Sequence, residues 1–340
     1  LRMKTRRIGR TGLEVTEYSF GGASLGNLYQ TVSPEGAFGA LDAAWGAGMR
    51  YFDTAPHYGF GLSERRFGDY LRAKPRDSYV LSTKVGRLLK PVPEDQVPDV
   101  GFVDPLPFKL EYDYSYDGIM RSVDFSYARL GLNRIDILYV HDIGVYTHGI
   151  EQTEIHLRQF LDGGLKALEE LKSSGMISAY GLGVNEVEVC LNVMHRAPLD
   201  CILLAGRYSL LDRSAEAELI PLCRQAGTSL VVGGVFNSGI LATGAKPGAH
   251  FDYGAAPQAI LDKVAAMEAI AADGGYPLAA AAMKFPLAEP AVATVLIGTA
   301  KASSLKRNMD LLKIDVPAAD CEKYRAYTTV QQPLTGAVRE

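Results

Sequence analysis

Short apolar runs along the chain alternate with stretches in which apolar residues recur every three or four positions. The runs at 18–22, 49–53, 79–84, 135–140, 178–183, 200–205, 228–232 and 293–297 read as strands. A helical pattern follows each of them. Ser33 and Pro34 supply a cap and a first-turn proline for a helix carrying Phe38, Leu41 and Trp45, which makes Trp45 a core residue. Later helices carry Phe67, Tyr70 and Leu71; Ile119, Val123 and Leu130; Leu165, Leu168 and Leu171; Val189 and Val193; Leu219 and Cys223; and Leu305, Met309 and Leu312. Residues 257–272 and 277–287 read as two consecutive helices between the last two strands. Ahead of these units, two short alternating runs flank a Gly9 to Gly12 turn and predict a β-hairpin.

Several strands, such as Ile202-Leu203-Leu204 and Leu230-Val231-Val232, are apolar without alternation, as strands buried on both faces are. Eight strand–helix units predict an α/β fold, a (β/α)8 TIM barrel with long loops at its C-terminal face. An open doubly wound sheet is the rival, but no Gly-x-Gly-x-x-Gly follows the first strand. The pattern predicts one domain over 5–327 and a C-terminal tail over 328–340. Three connections, 86–117, 142–162 and 237–256, read as long loops without regular structure that border the site.

Composition narrows the function. A net charge of −4 with no basic stripe excludes nucleic acid as the expected partner. No run of about 18 apolar residues predicts a membrane span. The basic residues near the start precede a charged, turn-rich stretch, unlike a signal peptide. Cys190, Cys201, Cys223 and Cys321 show neither a C-x-x-C pairing nor a zinc spacing. They read as buried, reduced thiols of a cytoplasmic protein, and no metal site is expected. The sequence leaves the oligomeric state open.

In a barrel of this type the reactive groups lie at the carboxyl ends of the strands. Asp53, Lys84 and His141 fall there, and Tyr58 follows on the loop after the second strand. A free phenol, with a pKa of about 10, is a poor base at neutral pH. A nearby ammonium favours the phenolate, so Lys84 is expected to bring Tyr58 towards neutrality, with Asp53 holding Lys84. His141 is expected to hydrogen-bond the substrate oxygen. These groups exchange a proton with a hydroxyl or carbonyl but cannot carry the electrons, so a hydride carrier is implied. His57 is a candidate substrate contact. His148, His156, His195 and His250 read as structural or surface residues. Phe102, Phe108, Tyr112, Tyr114, Tyr116 and Tyr146 either line the pocket or pack its loops.

The chain resembles the aldo-keto reductases through Phe52-Asp53-Thr54-Ala55-Pro56-His57-Tyr58-Gly59 with Ser63-Glu64, Ser82-Thr83-Lys84-Val85-Gly86 and Leu138-Tyr139-Val140-His141-Asp142. Gly181-Leu182-Gly183-Val184-Asn185, Ser238-Gly239-Ile240-Leu241 and the stretch from Ile297-Gly298-Thr299 to Asn308 extend the resemblance. It implies a barrel that binds an extended nicotinamide cofactor, with Asp53, Tyr58, Lys84 and His141 catalytic and Tyr58 the acid/base. It also implies a cofactor site built from Gly22, Ala23, Asn185, Val235, Phe236, Ser238, Gly239, Leu241, Gly298, Thr299, Ser304 and Asn308. Of the loop aromatics, Tyr146 joins His57 as a candidate substrate contact. Asn185 matches the residue that binds the nicotinamide carboxamide.

Three departures from the family pattern matter. Ala205 stands where Gln is common, and Gly233 where a Tyr often stacks on the nicotinamide, a role that would pass to a residue such as Phe236. Ser304 stands where NADP-preferring members carry Arg. A serine does not offer the bidentate contacts that suit a 2′-phosphate, which favours NAD. Lys301, Lys306 and Arg307 keep NADP as the alternative. The runs around Tyr208 and Phe236 are most similar to the sugar 1-dehydrogenase branch, which includes L-fucose and D-threo-aldose dehydrogenases, and to pyridoxal 4-dehydrogenases. The expected reaction is oxidation of an aldose at its anomeric hydroxyl, with pyridoxal hemiacetal oxidation or general aldehyde and ketone reduction as alternatives. A Schiff-base lyase using Lys84 and a regulatory subunit of the channel-beta type are rivals from other classes.

Overall fold

The computed structural model describes residues 2–334. Eight parallel strands close a barrel in sequential order: β1 Tyr18–Gly21, β2 Tyr51–Asp53, β3 Val80–Val85, β4 Ile137–His141, β5 Ala179–Val184, β6 Cys201–Ala205, β7 Ser229–Gly233 and β8 Val292–Ile297. The predicted (β/α)8 barrel is therefore the observed fold, and the doubly wound alternative is excluded by closure between β8 and β1.

The two-residue period of the strands sorts the side chains into an inner and an outer core. Tyr51, Ile137, Tyr139, Ala179, Cys201, Leu203 and Val231 form the inner cluster. Phe52, Leu81, Leu138, Val140, Leu182 and Leu204 pack outward in the larger cluster beneath the helices. The same period turns Asp53, Ser82, Lys84 and His141 inward at the upper end, because they follow Tyr51, Val80 and Tyr139 in steps of two. The pairing of Asp53 with Ser82, Lys84 with Tyr139 and His141 with Gly183 brings them to neighbouring heights. Gly183 leaves space for the lysine stem: a Cβ there would lie 3.3 Å from Lys84 Cε and 3.2 Å from Tyr139 Cβ.

The predicted N-terminal hairpin pairs Thr5–Arg7 with Glu14–Thr16. It closes the lower mouth of the barrel, with Ile8 and Val15 packed into the inner cluster. Gly9 N donates to Ser229 Oγ at 2.7 Å, and Arg6 donates to the carbonyls of Val292 and Leu287, fastening the plug to β7 and β8.

The three connections expected to be irregular carry regular structure. Arg87–Pro91 and Phe108–Tyr112 form an antiparallel hairpin. A helix covers Val145–Gln159, kinks at Gly149, and runs through a π-turn into the helix Leu165–Ser173. In the third connection, a short helix, Ile240–Thr243, precedes a hairpin that pairs His250–Phe251 with Gly254–Ala255. Their polar, glycine-broken sequences hid these elements because hairpin pairing is read from the partner strand, not from local periodicity. One smaller expectation also changes, and two aromatic side chains of the first helix take their places at its surface and at the edge of the core. Cys321 is exposed, unlike Cys190, Cys201 and Cys223. Phe38 is 53 % exposed and meets Tyr70 edge-on. Trp45 is half-buried, stacked near Phe52 and covered by the Arg50 guanidinium at 3.7 Å. Of the predicted tail, Thr329 bridges to Asp212, and Gln331 donates to Asp212 Oδ2 at 2.9 Å. Residues 335–340 of that tail lie outside the described residues.

Candidate active site

The loop after β2 is fixed from several sides. Thr54 N donates to the Ser82 carbonyl, and Ser63 N to the Tyr58 carbonyl. Ser63 Oγ donates to the Gly22 carbonyl at 2.8 Å and meets Thr54 Oγ1 at 2.8 Å. The fully buried Glu64 accepts from Thr83 Oγ1 at 2.9 Å and from Arg129 Nε at 2.7 Å. Ser63 and Glu64 therefore act as fasteners, locking the turn that carries Tyr58 to β3 and to the helix Tyr116–Leu130. Gly26 allows the close approach of this turn, since a Cβ there would lie 2.5 Å from the Tyr58 carbonyl carbon.

Asp53, Tyr58, Lys84 and His141 converge as expected. Lys84 Nζ donates to Asp53 Oδ2 at 2.7 Å, to the Thr54 carbonyl at 2.9 Å and to Tyr58 Oη at 3.1 Å. The lysine is 2 % exposed, so the Asp53–Lys84 pair is almost fully withdrawn from water. Such a pair needs its remaining hydrogen bonds satisfied. Ser82 Oγ supplies one, donating to Asp53 Oδ1 at 2.6 Å. Behind it, Tyr51 Oη lies 2.8 Å from both Ser82 Oγ and Tyr139 Oη, so a buried hydroxyl chain runs down the barrel axis.

Burial works against the Lys84 charge, but Asp53 and Tyr58 more than offset it and hold the ammonium above its ordinary pKa. Three accepting partners and this shift oppose the free amine that a Schiff base requires. Burial raises the Tyr58 phenol above its usual value; Lys84 pulls it down without overcoming burial, and Asp53 and Asp142 add to the rise. This corrects the expectation that Lys84 brings the phenol towards neutrality: burial of the phenol outweighs the ammonium 3.1 Å away. Burial, followed by the Arg87 and Lys84 charges, pushes both His57 and His141 well below the usual imidazole range. Each is a neutral ring at pH 7, and such a ring offers one N–H and one acceptor nitrogen.

These residues open onto a cavity of ≈ 470 Å³ that is also lined by Ala23, Arg87, Phe102, Asp142, Tyr146 and Asn185. His57 and Tyr146, the two expected substrate contacts, both line it, as do Phe102 and Tyr112. Tyr114 instead is buried and donates to the His141 carbonyl at 2.7 Å, while Phe108 and Tyr116 lie outside the lining. His148 and His156 pack against Tyr112 and Tyr114 as structural rings. A second cavity of ≈ 390 Å³ adjoins the first, and Leu28 and Tyr253 border both. Val235, Phe236, Ser238, Gly239, Gly298 and Asn308 line this groove.

The groove fits an extended dinucleotide. It runs from Asn308 past the ends of β6, β7 and β8 to the cavity that holds Asn185 and Tyr58. Four of the expected cofactor residues fall outside both linings. Gly22 is packed so closely that a Cβ would meet the Phe67 ring at 2.4 Å, and its carbonyl is taken by Ser63. Leu241 is buried in the cluster under the third connection, and its N–H is used by the Phe236 carbonyl. Thr299 Oγ1 accepts from Lys301 N, and Ser304 sits half-buried in the helix Ala302–Leu311.

Four features of the site were missed in the sequence. The Ser82–Tyr51–Tyr139 chain lies inside the barrel, and only the two-residue spacing to Asp53 and Lys84 hinted at it. Arg87 and Asp142 make a buried ion pair on the cavity wall. Glu186 is 3 % exposed, and burial lifts its carboxyl to about 7, while Tyr146 N donates to it at 2.8 Å. Tyr253 reaches over from the hairpin of the third connection and donates to Asn185 Oδ1 at 3.1 Å. Its backbone is left-handed, with φ 65°, and its N–H donates to Ser238 Oγ. No periodic signal marks such a residue, since its place depends on a turn folding back across the mouth. Among the described residues, no cluster of three or more His, Cys, Asp or Glu side chains could hold a metal, and no helix is long and apolar enough to cross a membrane.

Known proteins resemble this chain in sequence and fold. The chain is 46% identical over 322 residues to pyridoxal 4-dehydrogenase of Microbacterium luteolum, covering 92% of this chain and 94% of that protein. It is 39% identical over 312 residues to D-threo-aldose 1-dehydrogenase of a Pseudomonas species, covering 90% and 92%. The holo form of an aldo-keto reductase from Bacillus halodurans superimposes with a TM-score of 0.76 at 26% identity, over 100% of this chain and 99% of that one. Residues 18–327 match the aldo/keto reductase family. With a closed eight-stranded barrel carrying Asp53, Tyr58, Lys84 and His141 at one mouth, the chain belongs to that family and is an NAD(P)-dependent oxidoreductase.

Proposed function

We propose that the protein oxidises a cyclic hemiacetal, such as the anomeric hydroxyl of an aldose, to a lactone with NAD. The observation that carries this reading is the Tyr58 hydroxyl 3.1 Å from an ammonium that is itself anchored on Asp53 at 2.7 Å. A bound nicotinamide supplies the hydride acceptor and, when oxidised, a positive ring charge that favours the phenolate beside it. Tyr58 takes the proton of the hemiacetal hydroxyl as its O–H bond breaks. The carbon gives up its hydrogen with the electron pair, and the C=O of the lactone forms. Lys84 holds the phenolate, and His141, as a neutral donor, holds the reacting oxygen in place. Asp53 keeps Lys84 protonated and aimed. In the reverse direction Tyr58 protonates a carbonyl oxygen.

Asn185, at the junction of cavity and groove, is the proposed partner of the carboxamide, and Tyr253 must move from it to admit that group. Phe236 and Tyr253, both on the groove wall, are the candidates to cover the ring above Gly233. NAD is favoured over NADP because Ser304 brings no guanidinium, and Arg207 on the groove wall is already paired with Asp252 at 3.1 Å. We take 5–327 as one catalytic unit and 328–340 as its tail, and place the protein in the cytoplasm, where free cysteines stay reduced.

Pyridoxal is the second reading, favoured by the 46% identity to the Microbacterium luteolum enzyme. It too forms a cyclic hemiacetal, and its oxidation makes the same demand on Tyr58. Initial rates with a panel of aldoses and pyridoxal, against NAD and NADP, test both readings. Lactone formation with one of these substrates and NAD is the expected result. Turnover confined to simple aldehydes, or to NADP, would overturn the reading.

A further inference from the structure

Arg87 and Asp142 stand on the wall of the catalytic cavity and belong to none of the steps above. Both are withdrawn from water, with side chains 4% and 13% exposed. Arg87 Nη2 donates to Asp142 Oδ2, while Nε is buried with no partner among the described residues. Burying a guanidinium with an unused donor costs free energy unless something accepts from it. Asp142 is held in the left-handed region with φ 46°, its N–H bonded to the Gly183 carbonyl and its Oδ1 3.4 Å from Asn185 Nδ2. A non-glycine residue in this conformation at a cavity wall points to a function for its side chain. The carboxylate oxygen shared with Arg87 also lies 3.4 Å from His141 Nε2, next to where the reacting oxygen sits.

The pair thus presents a donor and an acceptor side by side, one step along the wall from His141. A single hydroxyl uses both: it accepts from Arg87 and donates to Asp142. A phenolate or carbonyl oxygen uses Arg87 alone. The two ion pairs, Lys84 with Asp53 and Arg87 with Asp142, leave the cavity with balanced charge, which suits a neutral polyoxygenated substrate better than an organic anion. We propose that Arg87 and Asp142 form a specificity-determining clamp for a second oxygen, one or two carbons from the reacting carbon. The 2-hydroxyl of an aldose and the ring hydroxyl of pyridoxal share this chemistry. The inference rests on the cavity being the reaction site, as read above.

The test crosses a change in substrate with a change in residue. Wild-type protein, Arg87→Gln, Arg87→Lys and Asp142→Asn are each assayed for kcat and KM with an aldose and its 2-deoxy counterpart, and with pyridoxal and 3-deoxypyridoxal. The wild type should prefer one parent over its deoxy form by about 100-fold or more in kcat/KM, as a site built to hydrogen-bond a substrate hydroxyl does. That preference should collapse towards unity in Arg87→Gln, mainly through KM, and return in part in Arg87→Lys. Loss of the aldose preference in Asp142→Asn identifies a sugar hydroxyl as the occupant. Loss of the pyridoxal preference only in the Arg87 variants identifies a ring oxygen. A wild-type preference below threefold for every pair, or a preference that survives in Arg87→Gln whatever the fall in absolute rate, overturns the clamp. If Arg87→Gln does not fold, the near-isosteric Asp142→Asn carries the aldose comparison. Failure of the proposed function looks different: the wild type makes no lactone. The clamp is then read on reduction of 2-hydroxypropanal against propanal, with the same collapse expected and the same persistence overturning it.

Discussion

At the lower mouth of the barrel the interior ends on Ile8 and Val15, the apolar, buried residues of the hairpin. At the upper mouth it ends on Asp53, Lys84 and His141, equally buried but charged or polar. Between them, Tyr139, Tyr51 and Ser82 pass hydrogen bonds upward from the apolar plug to the Asp53 carboxylate. The lower mouth uses burial to gain stability, about 25 cal/mol for each Å² of apolar surface withdrawn from water. The upper mouth uses burial to strengthen electrostatics, at a cost in desolvation that must be met by hydrogen bonds. One barrel therefore separates the residues that hold it together from those proposed to react.

Substitutions at the two mouths should separate stability from turnover. The largest effect is expected at the top. Tyr58→Phe should lower turnover about 10²–10⁴-fold, the scale of a lost general acid or base, while nicotinamide affinity by fluorescence titration changes little. The pH profile sharpens this. With the phenol above its ordinary value, oxidation by the wild type should rise with pH across the alkaline range, and reduction should fall. Lys84→Met should move that limb to still higher pH, because the charge that lowers the phenol is gone. At the bottom, Ile8→Ala should cost about 2–5 kcal/mol of stability in denaturant titration and leave kcat unaltered at temperatures where the variant is folded. A fall in kcat there would break the separation.

Ser82→Ala tests the link between the mouths. It removes a donor from Asp53 and a partner from Tyr51, so about 1–3 kcal/mol of stability should go with it, along with a roughly tenfold fall in kcat. An unchanged kcat would show that the hydroxyl chain serves the core alone. The smallest effect concerns Glu186. Its carboxyl rises from 4.5 to about 7 on folding, so the folded state keeps a proton that the unfolded chain releases. The stability it contributes is complete below pH 4.5 and is lost as the pH rises through about 7. Glu186→Gln should flatten the Tm-against-pH curve across that window. A slope equal to that of the wild type would show that the carboxylate is stabilised by its bond to Tyr146 N.

Much of this was legible in the order of residues. A Val-, Ile- and Leu-rich run followed by a helical period, repeated eight times, leaves few ways to bury both faces of every strand. That is why the barrel and the strand-end positions of Asp53, Lys84 and His141 followed from local pattern. Tyr58, His57, Tyr146 and Asn185 also line the cavity, because they sit at or a few residues beyond strand ends. Gly22 and Leu241 misled: a strand-end or loop position puts a residue near the groove, but packing against Phe67, or use of its N–H by Phe236, decides whether it faces in. The hairpins at 87–112 and 250–255 were invisible because their pairing is not periodic along the chain.

Periodicity and residue type thus carried the architecture and the choice of candidate reacting groups, since strand ends are read from positions a few residues apart. The direction of the Tyr58 shift, the Arg87–Asp142 pair, the hydroxyl chain through Tyr51 and the reach of Tyr253 to Asn185 depend on distances between residues tens of positions apart. Electrostatic energy inside a low-dielectric barrel varies steeply with such distances, so these were set only when the strands closed.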